Sequence, residues 1–300
     1  MNKKGEMTTE QIVILIILIA SFAVILFFIF RLDLFNENKD NICHNSVIAR
    51  GNVAKISGTT SNAIPLDCER SYVCITADNA CPNMQKPIVI KVKTKEDVYF
   101  ELAEQLADCW WMFGEGKINY VGSDMFDKLY CSICDQIVFD ESVQELFEGE
   151  TFSRKEFYEY LIKNNVSTEK TYYEYFFNDD PGSFSNWGEM GIVNLSKPYY
   201  VLTGMTSDVS TLGWALSGAA IAAGATALTI VTGGTGWAAV GIISVGVSAG
   251  VGGTTTGVFV HFVAPMIQNA LGTKSIPPSL IEVGSEEYDS LKCERISTRS

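Results

Sequence analysis

Residues 3–30 read KKGEMTTEQIVILIILIASFAVILFFIF, and this stretch decides on which side of a membrane the rest of the chain folds. The nineteen residues from Ile12 to Phe30 are apolar except for Ser21. At ~1.5 Å per helical residue they span roughly the ~30 Å hydrocarbon core of a bilayer. The run is longer than the apolar region of a secretory signal peptide and ends in aromatic residues. We therefore predict a transmembrane helix at residues 12–32 that stays on the mature chain.

The charges beside this helix predict its orientation. Lys3 and Lys4 precede it, and basic residues favour the cytoplasmic side of a membrane. Residues 1–11 are therefore expected to form a cytoplasmic leader, and residues 33–208 an extracytoplasmic domain at the cell membrane. Arg31, at the far end, is a small indication in the opposite direction.

The leader resembles the class III signal of type IV prepilins, which is common in archaeal surface proteins. In that family a basic segment ends in Gly, cleavage follows it, and a Glu stands five residues into the mature chain. Here Lys4-Gly5-Glu6 is followed by Glu10 and the hydrophobic run. The resemblance implies cleavage after Gly5 by a prepilin-type signal peptidase, with Glu10 as the fifth mature residue. It covers only about residues 3–30, and an uncleaved anchor is the alternative.

Charge excludes one class of partner. Residues 33–207 contain 15 Lys and Arg against 27 Asp and Glu, a net charge of −12, close to the −13 of the whole chain. Such a domain repels phosphate backbones, so we expect no nucleic-acid partner. About 175 residues are also enough for one well-buried domain.

The eight cysteines indicate an oxidising compartment, where an even number predicts disulfides. Local disulfides are expected among Cys68, Cys74 and Cys81, while spacing leaves the full pairing open. Cys131-Ser-Ile-Cys134 has the spacing of a redox or metal site, but the β-prone residues and Asp135 that follow it disfavour that reading. The disulfide candidates are Cys43, Cys68, Cys74, Cys81, Cys109, Cys131, Cys134 and Cys293.

Local patterns predict an α+β, disulfide-stapled domain. Thr94 and Asp97 form a capping-box-like start for a helix over 95–113, with Phe100, Ala103, Ala107 and Trp110 on one face. Ser153 and Glu156 suggest a second box, with a helix to about residue 164 and a Lys155–Glu159 pair on it. An Asn- and Asp-rich break is expected at 36–45, and strands are expected at 47–56, 72–76, 87–93 and 172–177.

A second apolar region runs from Val209 to Thr273 without a single Asp, Glu, Lys or Arg. Its length predicts two transmembrane helices, at 209–231 and 237–267, joined by a Gly-rich turn. Small residues four apart allow close helix packing and self-association, with Gly246, Gly250, Gly253 and Gly257 on one face. Residues 274–300 then return outside as a tail that rejoins the domain, so that Cys293 can pair there.

Two tripeptides match the N-glycosylation pattern, at Asn165-Val-Ser167 and Asn194-Leu-Ser196. The pattern has a physical meaning only if the domain lies outside the cytoplasm.

These observations predict a membrane-anchored surface or envelope protein with a structural, adhesive or assembly role, and the resemblance of the leader implies association with a pilus. We expect no catalytic residues, no metal site and no cofactor. The expected partners are membrane lipid, a prepilin-type signal peptidase, other envelope proteins and further copies of the chain. Two alternatives stay open: an extracytoplasmic thiol-disulfide oxidoreductase using Cys131 and Cys134, and an oligomeric pore built on the Gly-rich hairpin.

Overall fold

The structure is a computed structural model with an α+β fold and a mixed sheet. It describes residues 14–22, 24, 39–57, 65–82, 84–121, 129–177, 191–206, 230–231, 238–246, 259–268, 274–285, 288–289, 291 and 293–295. Five helices follow in chain order: α1 (Lys39–Ser57), α2 (Lys95–Met112), α3 (Glu141–Leu146), α4 (Arg154–Lys163) and α5 (Tyr172–Phe177). The strands are β1 (Ser71–Thr76), β2 (Ile88–Lys91), β3 (Leu129–Phe139), β4 (Tyr199–Thr206), β5 (Ile230–Val231), β6 (Ala238–Gly246), β7 (Phe259–Gln268), β8 (Lys274–Glu282) and β9 (Glu294–Arg295).

The sheet is organised around β3. Its order is β2-β1-β3-β4-β8-β7-β6-β5, and β9 pairs with β3 off this path. The second half of β3 pairs in parallel with β1, whereas its first half pairs in parallel with β9. β4 pairs antiparallel with β3 on one side and with β8 on the other. The tail strands β8 and β9 therefore belong to the same sheet as β3 and β4.

The first segment after the N-terminal run is helical, which corrects two expectations. Residues 39–45 were expected to break a helix and 47–56 to form a strand, but both lie in α1. Cys43, Val47 and Arg50 are buried at intervals of four and three residues, which is the spacing of one helix face. Burial of that face outweighs the weak local preferences of Asn, Asp and Val.

Helix α2 is confirmed, including its capping box. The Thr94 hydroxyl accepts a hydrogen bond from the Asp97 N–H at 3.1 Å, and the Asp97 carboxylate accepts one from the Thr94 N–H at 2.9 Å. Ala103, Ala107 and Trp110 are buried as expected, but Phe100 is 44% exposed. The buried face is instead shifted by one to two residues, through Val98, Tyr99, Leu102, Ala103, Leu106, Ala107, Cys109 and Trp110.

Helix α2 ends in a glycine-dependent turn. Gly114 and Gly116 both have positive φ, at 76° and 69°, a region that side chains with a Cβ rarely adopt. A Cβ on Gly116 would also lie 2.8 Å from the ring of Trp110. The turn thus needs glycine at this position for both reasons.

The aromatic run 172–177 is the short helix α5, and the strand expected there is wrong. Thr171 and Glu174 form a capping box that the sequence analysis did not identify. The Glu174 carboxylate accepts a hydrogen bond from the Thr171 N–H at 2.8 Å, and the Thr171 hydroxyl accepts one from the Glu174 N–H at 3.2 Å. Tyr172 and Tyr175 donate hydrogen bonds to Glu104 and Glu115. Contacts with α2 therefore decide this segment against its β propensity.

Helix α4 begins at the expected cap. The Ser153 hydroxyl accepts from the Lys155 N–H at 3.2 Å, and the last helical residue is followed by Asn164. Its ion pairs differ from the one expected: Glu156 pairs with Lys95 at 2.6 Å, and Glu159 pairs with Lys163 at 3.4 Å. The first pair ties α4 to the start of α2.

The second apolar region is β-structured wherever the structure describes it. The described residues of the expected helices 209–231 and 237–267 lie in β5, β6 and β7, and β6 pairs with β7 from Ala238↔Ile267 to Gly246↔Phe259. The region is rich in Val, Ile and Thr, and an apolar run does not by itself distinguish a helix from strands. Gly246 ends β6, so its expected role in helix packing does not apply there. Gly250, Gly253 and Gly257 lie outside the described residues.

At the N-terminus, residues 14–22 and 24 are helical. Their large side chains are exposed, with Ile14 to Ile19 between 46% and 62%. Among the residues described, no helix combines the length and the apolar character needed to cross a bilayer.

Candidate functional site

The site with the least ordinary chemistry lies at a bulge in β3. Ile133 pairs with Leu202 but Asp135 pairs with Val201, so Cys134 is an extra residue on β3. Before the bulge, Cys131 and Ile133 pack on the tail side of the sheet. After it, Ile137 and Phe139 belong to the helix-side core, as does Cys134 itself. The bulge thus changes which residues face the helices.

The bulge also separates the two cysteines of the CxxC motif. Cys134 forms a disulfide with Cys109 of α2, and Cys131 forms one with Cys293 of the tail. A redox CxxC works by closing a disulfide within itself. Here the two cysteines form separate disulfides on opposite faces of the sheet. This arrangement favours a structural role over the oxidoreductase alternative.

All eight cysteines are paired. The remaining disulfides are Cys43–Cys68 and Cys74–Cys81, with none left free. Of the expected local disulfides, Cys74–Cys81 is confirmed. Cys68 is instead paired with Cys43, which lies on the buried face of α1. This disulfide attaches the residues before β1 to that helix.

Asp135 is the buried ionisable group of this site. Its residue is 5% exposed, and the neighbouring strands contribute Ser71 and Val201 as backbone pairing partners. Burial, followed by repulsion from Asp40 and Asp108, raises its pKa to about 8. Asp40 belongs to α1 and Asp108 to α2, so the negative charges that repel the Asp135 carboxylate come from these two helices.

We call Asp40, Asp108 and Asp135 the carboxylate cluster. Burial, then Asp40 and Glu104, raises the pKa of Asp108 to about 6. Asp108 is nevertheless exposed at the surface of α2, so water screens its charge more effectively than that of Asp135. We therefore assign the larger energetic effect to Asp135.

The cluster can hold a proton near neutral pH, since the pKa of Asp135 lies there. Catalysis would require a nucleophile or a second acid–base group in contact with it, and none of the described contacts supplies one. In the part of the chain described, no group of three or more His, Cys, Asp or Glu is arranged to hold a metal ion. The protonation state of the cluster is therefore sensitive to pH in this range.

The nearby histidine has a packing role. The His44 ring stacks on Trp111 with centroids 4.1 Å apart, and its Nδ1 lies 2.7 Å from the Trp111 carbonyl oxygen. This contact joins α1 to the end of α2.

The other predicted site residues are distributed as follows. Gly5, Glu6 and Glu10 of the signal-like leader lie outside the described residues. Asn165 and Asn194 are both exposed, in the turn after α4 and in the turn before β4 respectively. They are far apart in sequence from the carboxylate cluster and belong to different elements.

Sequence reasoning missed Asp135 as a site residue. The sequence analysis uses Asp135 only as a negative charge that disfavours a reactive thiol in the CxxC motif. The available signal was a single carboxylate in the middle of LYCSICDQIVF, the eleven otherwise uncharged residues of β3. A charge in the centre of such a strand is either exposed or unusually buried, and sequence alone does not distinguish the two.

Comparison with protein families, with curated proteins and with solved structures finds no match to this chain. The functional argument therefore rests on the chain's own residues and geometry.

Proposed function

We propose that the chain is a membrane-anchored, extracytoplasmic surface or envelope protein with a structural, adhesive or assembly role. The observation that carries the proposal is the use of all eight cysteines in four disulfides. Such bonds persist outside the cytoplasm and are reduced within it. The net charge of −12 over residues 33–207 suits a solvated exterior surface.

The anchor in this proposal is the apolar run 12–32. Its helical residues 14–22 and 24 leave their apolar side chains exposed, which would be unfavourable in water but favourable in lipid. The leader before it has the Gly5-Glu6 and Glu10 pattern, so processing by a prepilin-type signal peptidase belongs to the same proposal.

The two ends of the uncharged segment lie beside each other, so any passage of this segment through the membrane would involve an even number of crossings. β4 and β8 are antiparallel neighbours, and Thr206 just before the segment lies opposite Lys274 just after it. The later Cys131–Cys293 disulfide fixes the tail on the same side as β3. A single crossing would separate these partners, which agrees with a hairpin topology for the segment.

The test is a thiol map of intact cells that make the full chain. A membrane-impermeant maleimide is applied with and without a membrane-impermeant reductant, and labelled peptides are identified by mass spectrometry. We expect labelling of the two partly exposed cysteines, Cys81 and Cys293, only after reduction, and a mature N-terminus at Glu6. Labelling without reductant, or Cys81 and Cys293 that stay unlabelled after reduction until the cells are lysed, would refute the extracytoplasmic placement.

A truncated chain lacking residues 1–32 locates the anchor, with the full chain as its control. Carbonate extraction of membranes should release the truncated chain if residues 12–32 alone hold the protein. Retention of the truncated chain would instead assign a second membrane contact to residues 209–273.

A further inference from the structure

We propose that Asn194, and not Asn165, is the N-glycosylated residue of this protein. Both asparagines are exposed and both begin an Asn-x-Ser tripeptide, so sequence and exposure treat them alike. The structures of the two turns differ. The inference rests on the extracytoplasmic placement proposed above, since the modification occurs only there.

The Asn194 tripeptide is arranged as an Asx turn. Its Oδ1 accepts hydrogen bonds from the Ser196 N–H at 3.0 Å and from the Ser196 hydroxyl at 2.6 Å. The Asn194 carbonyl oxygen accepts a further hydrogen bond from the Lys197 N–H at 3.0 Å. The side-chain amide and the hydroxyl two residues on are thus held together, which presents both recognised groups of the motif on one exposed turn.

This exposed turn has a rigid base. The Asn194 N–H donates to the Tyr199 hydroxyl at 2.7 Å, and Tyr199 is 1% exposed. The preceding Val193 N–H donates to the Phe152 carbonyl oxygen at 2.7 Å, and Val193 is also buried. The hydrogen bonds below the turn therefore order the tripeptide before any enzyme binds it, which lowers the entropic cost of recognition.

The Asn165 tripeptide has its equivalent groups committed elsewhere. The Ser167 N–H donates to the Lys170 carbonyl oxygen at 3.4 Å, and the Ser167 hydroxyl accepts from the Glu169 N–H at 3.4 Å. Asn165 itself forms a bridge with Thr171. Presenting this motif in the Asx geometry would require these contacts to break, so Asn165 serves as the matched control.

The reaction requires a glycosyl donor of the lipid-diphosphate class, supplied by the membrane. The Nδ2 of Asn194 forms a bond to the anomeric carbon of the sugar. The bond between that carbon and the diphosphate oxygen breaks, and the lipid diphosphate leaves with the electron pair. The amide proton passes to a base of the transferase, so no oxidant or reductant is involved.

The experiment is mass-spectrometric mapping of glycopeptides from full-length protein purified from the cells that naturally make it. We expect a glycan mass on the Asn194 peptide and an unmodified Asn165 peptide. Asn194→Gln and Ser196→Ala should each abolish the glycan, whereas Asn165→Gln should leave its occupancy unchanged. A bare Asn194, or equal occupancy at the two sites, overturns the proposal.

A further variant tests the geometry while leaving the tripeptide intact. Tyr199→Phe removes the hydroxyl below the turn and should lower the ratio of ordered to disordered turn about fivefold, the effect of one net hydrogen bond. Occupancy at Asn194 should fall accordingly, with retained disulfides showing that the domain still folds. Unchanged occupancy in this variant would refute the role of the turn.

The thiol map separates the two proposals. If the four disulfides form outside the cell but Asn194 is bare, the glycosylation proposal alone fails. If the cysteines are free in intact cells, the extracytoplasmic placement fails and takes the glycosylation proposal with it.

Discussion

Replacing Asp135 by Asn should stabilise the protein at neutral pH, an unusual result for a substitution in a β-sheet core. Asn has nearly the same shape as a protonated Asp but cannot ionise. The pKa of Asp135 is raised to about 8 in the folded state from an ordinary value of 3.8. At pH 7 the folded state must therefore keep protonated a carboxyl that is ionised in the unfolded chain.

The size of the effect follows from that difference. Each pKa unit is ~1.4 kcal/mol, so about three units between the ordinary pKa and pH 7 give roughly 4 kcal/mol as an upper value. Asp108 keeps solvent contact, which weakens its repulsion. We therefore expect Asp135→Asn to raise the free energy of unfolding by about 2–4 kcal/mol at pH 7.

The pH dependence has a defined sign. Between pH 4 and pH 8 the folded state binds one more proton at Asp135 than the unfolded state, so the free energy of unfolding of the natural protein falls as pH rises through this range. Above about pH 8 this contribution becomes constant. The Asn variant should lack the part of this slope that Asp135 contributes, and its advantage should vanish near pH 4.

The assay is urea unfolding of the detergent-solubilised full chain with intact disulfides, followed by tryptophan fluorescence at a series of pH values. Asp67→Asn, at an exposed position of the same charge, is the control and should change little. The reasoning is refuted if Asp135→Asn is less stable than the natural protein at pH 7. It is also refuted if the variant keeps the same slope between pH 4 and pH 8.

Three further predictions concern stability. Replacing both Cys131 and Cys293 by Ala should lower the free energy of unfolding by about 2–5 kcal/mol, because their disulfide closes a loop with a sequence separation of 162 residues. Chemical denaturation measures this loss, and proteolysis of the variant should cleave the tail first. Gly116→Ala should destabilise by ~1–3 kcal/mol, since positive φ and the approach to Trp110 both oppose a Cβ; an unchanged unfolding midpoint would contradict the turn geometry. Thr171→Ala should remove the cap of α5 and cost about 1 kcal/mol, and a loss below a few tenths would show that packing alone holds this helix.

Local signals in the sequence were sufficient where a short motif has one structural solution. The Thr94 and Asp97 pattern specified the start of α2, because two side chains satisfy each other's backbone N–H groups at that spacing. The alternation in 87–93 and the β-branched run at 72–76 likewise gave β2 and β1. The number of cysteines indicated disulfides, since an oxidising compartment and an even count leave few other uses.

Tertiary packing decided the elements in which local preference and burial compete. The aromatic run 172–177 became a helix because its rings and hydroxyls meet α2, and residues 39–57 became a helix because one face is buried there. The separate partners of Cys131 and Cys134 depend on a bulge in β3, which the periodicity of the sequence does not reveal.

The sequence by itself determined the three kinds of segment in the chain, which are an apolar run near the N-terminus, an acidic middle rich in cysteine, and a long uncharged segment. These are properties of residues summed along the chain, and they need no knowledge of neighbours. Only the tertiary structure decided that Asp135 is buried between like charges and that Asn194, unlike Asn165, is held in an Asx turn. Both depend on groups brought together from distant parts of the chain, whose electrostatic field and hydrogen bonds exist only after folding.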